Sequence, residues 1–79
     1  MRSEIEKIFK DFETKDVKIT PTPEGIWDIK ATIKGDYNTF EKWLEALEDR
    51  GIYFLGRIFL GKKDFMIRGA IGEEKDFFE

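Results

Sequence analysis

Arg57 and Arg68 are the residues of this chain whose type and setting could do chemistry. Arg57 stands in a run with Tyr53, Leu55 and Phe59 at alternate positions, and Arg68 follows Met66 at the same spacing. A guanidinium presents paired N–H donors in one plane, which suits a carboxylate or a phosphate equally. The chemistry on offer is recognition of an anion beside apolar surface. Catalysis has little to draw on. The sequence contains no His and no Cys, so the commonest general base and the thiolate nucleophile are both missing. The acids are scattered among helical partners, as at Glu41, Lys42 and Glu45, the pattern of a solvated helix face. No glycine-rich loop follows a strand to open a helix, and no Asp/Glu cluster has calcium-loop spacing. No enzyme, cofactor or metal site is expected.

The elements that must position those arginines can be read from periodicity. Ile5, Ile8, Phe9 and Phe12 recur at helical spacing, predicting a helix over roughly 4–13, with Ser3 and Glu6 as a capping box. Val17 and Ile19 alternate with Lys18 and Thr20 as a short strand, and Pro21 to Gly25 is a turn. Trp27, Ile29, Ala31 and Ile33 alternate with polar residues as a second strand, which Gly35 ends. A second helix is predicted from Asp36 or Asn38 to a C′ glycine at Gly51. Further strands follow at Ile52–Leu60 and Phe65–Ile71, with Gly61 to Asp64 between them.

The order repeats. Glu6-Lys7 recurs as Glu41-Lys42, and Trp27 to Ile33 lies over Phe65 to Ile71. The expectation is a single α+β domain over 1–79 made of two αββ units, 3–34 and 36–71, with an acidic tail 72–79. Two amphipathic helices stacked on one face of a four-stranded sheet bury these stripes. The αββαββ order resembles a circularly permuted ferredoxin-like sandwich.

Turn lengths then set cross-strand pairs. In the first hairpin, Thr20 opposite Ile26 puts Ile19 across from Trp27, Val17 across from Ile29, Lys18 across from Asp28 and Asp16 across from Lys30. In the second, Leu60 opposite Phe65 puts Gly56 across from Gly69, where a bulky Trp43 or Phe9 from a helix would use the space. The outward face of that hairpin then carries Phe59 opposite Met66, Arg57 opposite Arg68 and Leu55 opposite Ala70, with Tyr53 beyond. Facing arginines repel unless something anionic lies between them. Asp28 and the tail acids Glu73, Glu74 and Asp76 are the intramolecular candidates.

An apolar patch of this kind on a small domain marks an interaction site. The expected function is a non-catalytic binding or regulatory module using Tyr53, Leu55, Arg57, Phe59, Met66 and Arg68 for protein association, with a homodimer as the simplest case. Single-stranded nucleic acid is the alternative, since RNA-recognition domains stack bases on sheet aromatics. The net charge of −3 disfavours it, and Ile52 departs from the aromatic pattern of the RNA-binding strand motif. A small-ligand sensor with its site between the two halves is the third class. Phe77-Phe78 at the acidic end could dock on a partner or fold back over the same patch. No apolar run is long enough to cross a membrane, so a cytoplasmic protein is expected. The absence of Gln and Cys, with charge dominated by Glu and Lys, fits a heat-adapted protein.

Overall fold

The computed structural model describes residues 1–78. Its elements run α1 (Arg2–Lys10), β1 (Thr14–Pro21), β2 (Trp27–Lys34), α2 (Tyr37–Glu48), β3 (Ile52–Leu60), β4 (Asp64–Glu73) and α3 (Glu74–Phe77). The strands form one four-stranded sheet in the order β1-β2-β4-β3, and every neighbouring pair is antiparallel. This α+β arrangement is compatible with a ferredoxin-like sandwich.

Both long helices lie on one face of the sheet. From α1 come Ile5, Ile8 and Phe9, and from α2 come Phe40, Trp43 and Leu47. Central strands supply Ile29, Ala31 and Ile33 from β2 and Phe65, Ile67 and Ile71 from β4, with Ile52 of β3 beside them. Residues at alternate positions share a face, so these strands turn a continuous apolar surface toward the helices.

The helix starts differ in kind. The Asp36 side chain caps α2 by accepting from the Thr39 N–H, while Thr39 Oγ1 accepts from the Asp36 N–H, each at 3.2 Å. At α1 the expected Ser3 box is absent. The helix begins earlier, at Arg2, and Met1 holds the N-cap without a side-chain bond. The reason is burial: a start at Arg2 turns Ile5 fully into the core.

The first hairpin also departs from expectation. Ile19 faces Ile29, Lys18 faces Lys30 and Thr20 faces Asp28, and the register shifts between Lys15 and Lys18. Asp16 sits there at φ +56, in the left-handed region that Asp tolerates better than most side chains. The extra residue of this bulge throws Val17 out to 38% exposure. The expected Lys18–Asp28 and Asp16–Lys30 pairs do not form, because Thr22 pairs with Ile26 instead, its N–H donating at 3.0 Å. Residues 72–73 likewise belong to β4, and α3 follows where a plain acidic tail was expected.

The second hairpin has the expected register throughout, including Gly56 opposite Gly69. What fills the space above that pair is the ring of Phe54, from β3 itself, and neither Trp43 nor Phe9. A Cβ on Gly69 would stand 2.6 Å from the Gly56 Cα and 2.9 Å from the Phe54 ring, and would strike the Leu55 carbonyl. The ring lies over bare backbone and reaches Trp43, with centroids 5.1 Å apart. Gly69→Ala is accordingly expected to cost about 1–3 kcal/mol. The check is a urea titration, in which the midpoint should fall at unchanged slope.

Candidate binding face

The face of the sheet opposite the helices is not covered by any long element. Residues pointing to it are those that alternate with the core positions, and the three registers fix which of them stand side by side. Arg57 faces Arg68, Arg68 faces Lys30, and Lys30 faces Lys18. All four are exposed. One straight row of positive charge therefore crosses the sheet from edge to edge. With strands about 4.8 Å apart, it is about 15 Å long.

The rows on either side differ from each other. On one side stand Thr20, Asp28, Ala70 and Leu55; on the other, Thr32, Met66 and Phe59. Leu55 is 62% exposed and Phe59 47%, while Met66 is half-buried. Two shallow depressions follow these rows. One, of about 520 Å³, touches Lys18, Asp28, Lys30, Leu55 and Arg68. The other, of about 280 Å³, touches Asp16, Lys18, Lys30, Thr32 and Met66. Both border the cationic row.

No carboxylate neutralises that row among the described residues. The ion pairs present are Arg2 with Glu6 at 3.0 Å, Lys34 with Glu13 at 3.3 Å, and the N-terminus with Glu4 at 4.0 Å. Asp28 lies one row over and makes no ion pair with the cations. Of the tail acids, Asp76 accepts the Glu73 N–H at 2.7 Å and so caps its own helix.

The tail does reach this face, at one end. Phe77 and Asp76 pack over the buried Gly72, and Phe78 meets Tyr53 edge-on at 5.9 Å. Tyr53 is thereby half-buried, whereas Leu55, Arg57 and Phe59 stay open. All six residues singled out in the sequence thus lie on one face of adjoining strands. Lys18 and Lys30 were not among them. Their alternation gave their face, but joining them to the arginines required knowing that β2 lies against β4.

No metal-holding group of acids occurs among the described residues, and no helix is long and apolar enough to cross a membrane. No protein-family model, curated protein or solved structure matches this chain.

Like charges directly opposite one another destabilise a sheet by roughly 0.2–1 kcal/mol per pair. Lys30 has a cation on both sides, so Lys30→Glu is expected to raise stability, most strongly at low salt. Thermal melts at two ionic strengths check this: the gain should shrink as salt screens the row.

Proposed function

We propose that this protein is a non-catalytic binding module whose open sheet face takes an acidic segment of a partner protein. The observation that carries the reading is the unneutralised row Lys18, Lys30, Arg68 and Arg57, flanked by exposed Leu55 and Phe59. Carboxylates would lie along the row, and apolar side chains of the partner would cover Leu55, Phe59 and Met66. Buried apolar area contributes about 25 cal/mol per Å², less the cost of association. Charge sets the choice of partner and the rate of encounter more than the final affinity.

The same row bears on the other readings. A second copy stacked face to face would lay one cationic row over another, so self-association is better placed elsewhere on the molecule. Single-stranded nucleic acid finds a track for phosphates but few platforms for bases. Phe59 is exposed, while Tyr53 already has Phe78 against its ring. A small metabolite would be poorly enclosed, since the depressions are open and lined largely by exposed side chains. In architecture, the two αββ units are read as a circularly permuted ferredoxin-like sandwich, which the order β1-β2-β4-β3 supports.

The test uses a fluorescent peptide of alternating Glu and Leu, and a single-stranded oligonucleotide of similar length. The peptide should bind at low salt and weaken as salt rises, and Lys30→Glu/Arg68→Glu should lose at least tenfold, about 1.4 kcal/mol. Tighter binding of the oligonucleotide would move the face to nucleic acid. No binding of either at low salt would remove the reading.

A further inference from the structure

The two edges of this sheet are treated differently, and the difference identifies a second interaction surface. An edge strand offers unpaired N–H and C=O groups to any passing strand, and soluble proteins normally block them. The β1 edge is blocked three times over. The bulge at Asp16 and Val17 breaks its line. Arg2 donates from Nη1 to the Ile19 carbonyl at 3.2 Å, occupying an acceptor that faces outward. Pro21 stands where the ladder turns the backbone nitrogen outward, since Thr22 is the residue bonded to Ile26, and proline has no N–H to offer.

The β3 edge has none of these. It runs unbroken for nine residues, Ile52–Leu60, with no Pro, no Lys and no register shift. No side chain among the described residues hydrogen-bonds to it. Leu55, Phe59 and Leu60 are among the most exposed large apolar residues of the protein. A strand this long, apolar and unguarded is a pairing template.

Its hydrogen-bond phase says what fits. The Gly61 N–H donates to the Asp64 carbonyl at 2.8 Å, and bonded pairs alternate along an antiparallel ladder. Tyr53, Leu55, Arg57 and Phe59 therefore bond inward to β4. Ile52, Phe54, Gly56, Ile58 and Leu60 turn their backbone groups to the free edge. That set is symmetric about Gly56. A second β3 laid antiparallel, with the two-fold axis at Gly56, satisfies every one of these groups over the full strand.

The side chains agree with the same register. Phe59 comes opposite Tyr53 of the second copy, and Ile58 opposite Phe54. Arg57 comes opposite Leu55, so no like charges face each other directly. Moving the axis to Arg57 would set arginine against arginine and, although the outward-turned groups stay in phase, would leave Ile52 without a partner in the second strand.

We propose that two copies of this chain pair through β3, antiparallel about Gly56, into one continuous sheet of eight strands. This pairing uses the strand edge and stands independently of what the open face binds. A single strand-to-strand contact is small beside the roughly 1,200–2,000 Å² of stable complexes. The dimer is therefore expected to dissociate in the micromolar range.

The test is sedimentation velocity on the full chain from about 1 μM to about 1 mM, spanning that range. The wild type should pass from monomer to dimer. Leu55→Lys sets two lysines against two arginines in the dimer and should weaken it about tenfold, whereas Leu55→Glu makes two complementary pairs and should tighten it. Met66→Glu, on the face but off the edge, should change little. Amide exchange gives a second readout that needs no variant: the N–H groups of Phe54, Gly56 and Ile58 should gain protection as concentration rises. A monomer throughout overturns the proposal. So does a dimer that both Leu55 variants move the same way, or one that Met66→Glu breaks as strongly as Leu55→Lys.

Discussion

The contact on which the rest of the structure depends is Phe54 lying over two glycines and against Trp43. Trp43 is fully buried, with Phe9 5.6 Å away and Phe40 6.2 Å away between ring centroids. Phe40 in turn meets Phe65 edge-on at 5.7 Å. Trp43 and Phe40 together thus join both long helices to β3 and β4. Aromatic pairs of this kind contribute about 0.5–1.5 kcal/mol each beyond the area they bury. The cluster also tolerates a fault, since the Trp43 indole N–H has no partner among the described residues. Leaving such a donor buried costs about 1–3 kcal/mol, which burial of the largest side chain in the protein offsets. Any side chain at Gly56 or Gly69 would lift the Phe54 ring from the sheet and open that core.

Because the helices are committed to that cluster, the opposite face of the sheet is left to solvent. Alternation then decides what it carries: every residue between two core positions must point outward. In β2 and β4 those intervening residues include Lys30 and Arg68, and the shared register sets them side by side. A sheet shaped for stability alone would place opposite charges across from each other, as at an ordinary solvated surface. Here four like charges are in line. Local choices that run against stability are where function is expected.

How far the sequence could be read depended on how tightly each loop constrained it. The second hairpin has a short connection, Gly61 to Asp64, which fixed its register and so its outward residues even though both strands are nearly continuous apolar runs. The first hairpin has a longer turn rich in proline, which admits more than one closure. Its bulge at Asp16 carries no sequence signal beyond an acidic residue between Lys15 and Val17. The error moved the pairing by two residues, so Lys18 and Lys30 still pointed outward but met each other instead of acids. Gly56 and Gly69 were legible as a close approach, yet which ring used the space was not. The candidates were helical, and the answer lay two residues away on the same strand. The helix α3 escaped notice because four residues give no periodicity to read.

The edges make a point that composition could not. β1 and β3 are both edge strands, and apart from Pro21 their residue types do not say that one is closed and the other open. The difference arises from backbone phase: which carbonyls and N–H groups face outward is set by the turn that starts each ladder. At β1 the outward acceptor of Ile19 meets Arg2, a residue from the first turn of α1, and the outward nitrogen belongs to Pro21. Those devices cost the chain a helix residue that must reach across and a bulge with strained backbone. A chain that spends them on one edge and leaves a longer, more apolar edge bare is not merely unprotected there. The asymmetry favours the proposed pairing at β3, because the alternatives β1 with β1 and β1 with β3 are blocked by the same three features.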